Sequence, residues 1–304
     1  MPLFPYPGTG VTFGKSGVPA STAAGGALDF WDDTGLNAIF HLRTTDMANR
    51  ASMHGFPALV LCLTVGAFTC FAPNAASAAS AADPSASAAF AANSDIDRTL
   101  TRCLDAPEKQ STGAQDECIV DATHAWDVRL NASYRALQND LPEASRPALL
   151  AAQRAWLASR DADQKLIAAV YATVRGTMYA PMNANDVMML TKRRAQTLTR
   201  YAADLSYARA GEFRPMPAGE AKMSDIDAVT RRIERRLPAS ARGIVRASEG
   251  KWRAFMSAQT ALIAAICPAG GAPGAKACRG AQRDAERAAR MAQIEGLEGK
   301  IGAD

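Results

Sequence analysis

Gln153, Trp156 and Arg160 lie at i, i+3 and i+7 in the stretch LAAQRAWLASRDAD (150–163). A helix puts all three on one face. An amide and a guanidinium beside an indole can bind a ligand, serve a catalytic centre, or satisfy one another as a buried network between helices. Catalysis is the poorest fit. Asp161 and Asp163 are two residues apart, so on a helix they point to different sides and cannot share a proton. After residue 82 the only histidine is His124, which excludes multi-histidine metal sites and leaves nothing for a Ser-His-Asp arrangement. There is no G-x-x-x-x-G-K-[ST] phosphate loop, and GGAPG (270–274) lies between two cysteines. The expectation is a protein that is not an enzyme and holds no cofactor or metal. Its Gln153, Trp156 and Arg160 then either lock helices in register or touch a ligand.

The elements that would carry these residues are helical. Period-two β-branched runs are absent, and Ala, Arg, Leu, Gln and Glu dominate. A first short helix is expected over 95–105, with Ser94 as its N-cap. A long one follows over about 114–140, with the stripe Ile119, Thr123, Trp126, Leu130, Ser133/Tyr134 and Leu137. The motif helix covers 143–174, and a fourth helix runs over 185–209 after the loop RGTMYAPMNA (175–184). Met178, Tyr179, Met182 and Asn183 sit at that loop, either as a partner contact or as a connector that closes the bundle. The segment 210–223 reads as a linker with Gly211, Pro215, Pro217 and Gly219. A second helical unit is expected over 224–296, opening on Ser224 and Asp227 at capping-box spacing. Residues 297–304 remain as a tail.

The front of the chain reads differently. Residues 47–81 combine Arg50, the apolar run FPALVLCLTVGAFTCFA (56–72) and A-x-A patterns at 76–78 and 79–81. This is the layout of a secretory signal peptide, cleaved near 78–82. The segment 1–46 has no sustained period and reads as disordered, a mis-assigned translation start. The segment 82–94 is Ala/Ser/Pro-rich and reads as flexible. The expected location is therefore the periplasm or outside, with no transmembrane segment in the remaining chain. In an oxidising compartment Cys103, Cys118, Cys267 and Cys278 form disulfides. Of three connectivities, 103–118 with 267–278 is the local one.

The chain also repeats itself. LPEASRPALLAAQRAWLASRDADQKLIAAV (141–170) matches LPASARGIVRASEGKWRAFMSAQTALIAAIC (237–267) without a gap: Leu141-Pro142 with Leu237-Pro238, Trp156 with Trp252, and Leu166-Ile167 with Leu262-Ile263. Arg160 and Asp161 correspond to Met256 and Ser257, so their role belongs to the first copy. Charge differs between the units. Residues 95–206 hold 14 basic and 14 acidic residues, whereas 207–304 hold 17 against 11. Arg231, Arg232, Arg235 and Arg236 form the densest basic cluster, either a solvated face or a contact for anionic envelope polymers. No nucleic-acid partner is expected.

Cys103…Cys118, LNASYRALQNDL (130–141, with Tyr134), QRAWLASRDAD (153–163) and TKRRAQTL (191–198) together resemble the LprI-type lysozyme inhibitor N-terminal domain. The resemblance covers about 95–205, with Trp252 and CRGAQRDAERA (278–288) as a weaker, diverged echo. It implies an exported, all-α, disulfide-linked fold, with the motif Q-x-x-W-x-x-x-R-D as a core signature. The family's second cysteine pair has no counterpart here, because its places fall near Gln164 and Met189. Function follows as an expectation: a binding protein that inhibits lysozyme by protein–protein contact, or an envelope interaction protein working through its arginines. Many lysozymes are basic, so the charge-balanced first unit would carry the first kind of contact.

Overall fold

The computed structural model describes residues 84–211, 221–268, 270–271 and 274–303. The candidate signal peptide and the segment before it lie outside these residues. Seven α-helices occur among the described residues: α1 (Pro84–Asp105), α2 (Thr112–Asp140), α3 (Arg146–Tyr171), α4 (Tyr179–Ala210), α5 (Met223–Arg236), α6 (Arg242–Ile266) and α7 (Ala275–Glu298). Short 3-10 turns at Pro107–Lys109, Glu143–Ser145 and Ala239–Ala241 join α1 to α2, α2 to α3 and α5 to α6. The fold is all-α with two disulfides, and none of the described helices is long and apolar enough to cross a membrane.

Each helix buries the stripe its spacing requires. On α2 this is Cys118, Ile119, Ala122, Trp126, Leu130, Ser133 and Leu137, which pack mainly against α4. On α5, Ile226, Val229 and Ile233 face inward. α3 and α6 lie against each other, and the two copies share one hydrophobic core that runs from Ile119 to Ile301. The linker expected at 210–223 does not separate two cores, because the Trp-bearing helices pair across it.

Three expectations about element ends are corrected. The segment 84–94, expected to be flexible, is helical and extends α1. Its alanines are the best helix formers, and Pro84 sits at the first helical position, where no amide donor is needed. Ser94 is therefore no cap but lies inside the helix, donating to Phe90 O. The loop expected at 175–184 is short, because α4 begins at Tyr179. The Ser224–Asp227 capping box is not formed: α5 starts one residue earlier, and Ser224 Oγ donates to Asp225. At the other end of α4, Gly211 takes the left-handed conformation (φ 72°) that closes the helix.

Cys103–Cys118 ties α1 to α2, and Cys267–Cys278 ties the end of α6 to α7. Disulfides of this kind belong to oxidising compartments. Replacing Cys103 and Cys118 by serine frees a loop of 15 residues and lowers unfolding stability by about 3 kcal/mol. Urea unfolding followed by tryptophan fluorescence reads this as a shifted midpoint.

The repeat extends beyond the stretch legible in the sequence. α3 and α6 start at Arg146 and Arg242, α4 and α7 at Tyr179 and Ala275, and α2 and α5 end at Asp140 and Arg236. One offset thus maps the second half of α2, α3 and α4 onto α5, α6 and α7. Buried positions map as well: Leu130, Leu137, Leu149, Trp156 and Val170 onto Ile226, Ile233, Val245, Trp252 and Ile266.

Candidate functional site: a polar seam between the two copies

The seam is built from two arginines at equivalent positions, Arg194 on α4 and Arg290 on α7, each 2% exposed. Arg194 Nε donates to Gln153 Oε1 of its own copy (3.0 Å), and Nη1 donates to Gln259 Oε1 of the other copy (2.6 Å). Arg290 does the same in reverse. Its Nη2 lies 3.5 Å from Glu249 of its own copy, and its Nη1 donates to Asp163 Oδ1 of the other at 2.8 Å. Glu249 is the repeat partner of Gln153, and Gln259 that of Asp163. A second reciprocal pair spans α4 and α7: Gln282 donates to Asp204 (2.5 Å) and Lys300 to Asp186 (2.7 Å), where 282 is the counterpart of 186 and 300 that of 204. Reciprocal contacts of this kind define an isologous, two-fold-related interface, here within one chain.

Each arginine is held by aromatic faces as well as hydrogen bonds. The Arg194 guanidinium lies 5.9 Å from the Trp156 ring centroid and 5.3 Å from that of Phe255, and Arg290 lies 5.5 Å from Trp252. Guanidinium planes tolerate such stacking because they are weakly hydrated. Ser248 Oγ donates to Asp163 Oδ1 and accepts from Arg290 Nη2, which completes the pair at that end. Gln259 passes its amide N–H on to the Tyr201 hydroxyl. Burial pushes the Tyr201 phenol well up and lowers the Arg194 pKa, with the charge of Glu286 opposing the latter.

The motif residues fall as follows. Gln153 and Trp156 both serve Arg194, so they belong to the seam. Arg160 stacks on Trp156 at 5.4 Å and pairs with the exposed carboxylate of Asp161 at 2.7 Å. Trp252 plays for Arg290 the part that Trp156 plays for Arg194. Tyr134 is half-buried against the core. Met178 and Met182 are exposed, whereas Tyr179 donates to Ala303 O and Asn183 is half-buried.

The arginine cluster divides. Arg232 forms a bidentate pair with Glu298, and Arg236 donates to Glu298 O and Ile301 O, so both clamp the end of α7. Hydrogen bonding from Arg232 holds the Glu298 carboxyl below its usual range. Arg231 and Arg235 remain on the exposed surface. The sequence reading missed Arg194, Arg290, Asp163 and Gln259 as a set. The two arginines lie outside the matched stretch, and extending its offset by one helix would have found them.

In the first copy the junction between α3 and α4 has no disulfide. Tyr171 and Met182 occupy the places of Cys267 and Cys278. Tyr171 Oη donates to Asp186 Oδ2, which Lys300 also reaches, and Gly302 N donates to Thr173 Oγ1. The segment expected as a tail, 297–304, thus closes this junction.

Asp127 on α2 offers a pH test near Arg160. Burial raises its pKa above the ordinary 3.8, with Arg160, His124 and Asn131 opposing the rise. A carboxyl raised on folding binds protons more tightly in the folded state. Its penalty is therefore absent below pH 3.8 and grows as pH rises through the folded value. Asp127→Asn is expected to melt higher than the parent at pH 7, with the two converging below about pH 3.8.

These features define a class: a disulfide-stapled all-α protein whose duplicated halves meet along a buried arginine seam. Residues 103–198 match the family model described as Lysozyme inhibitor LprI. The matched segment includes α2 and α3 and ends within α4. A crystal structure of an uncharacterized protein from Burkholderia thailandensis is similar, with a TM-score of 0.54 and 26% identity over 68% of this chain and 98% of that chain. That coverage takes in nearly all of the other protein, so the likeness is not confined to one helical hairpin. No curated protein matches the chain.

Proposed function

We propose that this is an exported, non-enzymatic binding protein that inhibits lysozyme by protein–protein contact. The match of residues 103–198 to the lysozyme-inhibitor family carries this reading. The two disulfides support export. The contact is assigned to the start of α4. There Met178 is 60% exposed and Met182 36%, one helical turn apart on a junction that Tyr179 ties to Ala303. Adaptable thioethers on a firm platform suit insertion into an enzyme cleft. The alternative, anionic envelope polymers at 231–236, is less favoured because Arg232 and Arg236 are already engaged with α7.

The test is lysozyme-driven clearing of a cell-wall suspension, with and without the purified, disulfide-intact protein. Dose-dependent protection is expected, weakened at least tenfold in Met178→Glu/Met182→Glu with unchanged helical circular dichroism. No protection at large molar excess by the folded parent would overturn the reading.

A further inference from the structure

A cavity of about 70 Å³ lies on the seam, between Trp156, Trp252 and Phe255 on one hand and Arg193, Arg194, Arg290 and Glu286 on the other. We propose that it is a binding site for a small zwitterion, an α-amino acid of glycine or alanine size.

Unequal arginines are the first reason. Arg290 has two carboxylates at hand, Asp163 and Glu249. At the corresponding places Arg194 has two neutral amides, Gln259 and Gln153. A buried guanidinium whose hydrogen bonds go only to amides has no carboxylate in direct contact, and the opposing charge it feels is that of Glu286 on the cavity wall, a costly arrangement. Arg193, also lining the cavity, adds a second cation there, compensated only by the longer-range attraction of Asp186 and Asp163. In the second copy its place is taken by Ala289, so this charge is specific to one end of the seam.

Orphaned atoms are the second. Arg194 Nη2 and Arg290 Nε are buried donors without a hydrogen-bond partner, and Glu286 Oε1 is a buried acceptor without one. All three residues line the cavity. Buried polar atoms are nearly always satisfied, so this set calls for a guest that supplies acceptors to the arginines and a donor to the glutamate. A bare anion would serve the arginines but face Glu286. A zwitterion answers both, with its carboxylate toward Arg193 and Arg194 and its ammonium toward Glu286.

Size agrees. At about 10–15 Å³ per water, the cavity has room for roughly five non-hydrogen atoms, and glycine has five. This inference does not rest on the inhibitor reading, and its readouts are separate from lysis.

The experiment is a titration of the purified protein with glycine, D-alanine and L-alanine, followed by tryptophan fluorescence and calorimetry. Acetate and methylamine serve as single-charge controls. Arg194 and Arg290 are structural, so the variants are Arg193→Ala and Glu286→Gln, at partly exposed positions. Saturable binding of at least one amino acid is expected, tenfold or more tighter than either control and tenfold or more weaker in both variants. No saturable response at 50 mM would overturn the proposal, as would acetate binding equal to glycine or variants that bind like the parent.

Discussion

Asp163→Ala is expected to lower unfolding stability by about 3–5 kcal/mol, the cost of leaving a buried charge without its partner. Asp163 is the carboxylate that Arg290 meets directly, and Ser248 is oriented by both. Removing it leaves the guanidinium with the neutral acceptors Ser248 and Gln293 and one carboxylate, Glu249, at 3.5 Å. The control is Asp163→Leu with Arg290→Met, which removes both charges while keeping apolar volume. That pair is expected to regain most of the loss, since hydrophobic replacement of a buried ion pair is often neutral or better. Gln259→Ala, at the equivalent place, removes an amide rather than a charge and should cost about 1–3 kcal/mol. Urea midpoints at constant m-value decide the order. Equal losses at 163 and 259 would mean that the charge of the pair does not matter.

The second large effect concerns Trp126. It is fully buried at the middle of α2, where α4 covers it, and Lys192 lies 5.4 Å from its ring. Trp126→Ala is expected to cost about 3–5 kcal/mol through lost burial and the cavity left behind. Trp126→Phe should cost much less, because the indole Nε1 has no hydrogen-bond partner to lose. The place has no aromatic counterpart in the second copy, where Lys222 stands. The damage should therefore be confined to the α2–α4 pair, and hydrogen exchange would show that pair opening ahead of α6 and α7. A Trp126→Phe variant as damaged as Trp126→Ala would point to a specific role for the indole nitrogen instead.

Much of the helical pattern was legible because it depends on local spacing. The buried stripe of α2 from Ile119 to Leu137 is the one its three- and four-residue steps require, and the local cysteine pairs follow from short loops. Helix ends were less legible. Pro84 and the alanines after it looked like a linker by composition, yet alanine favours helix wherever a neighbour covers one face. The seam was half legible. Gln153 and Trp156 share a face and so announce a partner, but nothing local says that the partner is an arginine 41 residues away. Nor does local sequence say that Gln259 of the other copy completes the set. Such groups meet only through helix pairing, which spacing along one helix cannot report.

The closure of the α3–α4 junction has a consequence for how the chain matures. Its ties run from Asp186 to Lys300, Tyr179 to Ala303 and Thr173 to Gly302, at separations of 114, 124 and 129 residues. A chain emerging in order from its N-terminal side exposes this junction long before the residues that seal it exist. Contacts at such separation form late and slowly. The first copy therefore stays ajar until residues 300–303 have been made, and only then are Tyr179 and the rest of this junction tied down.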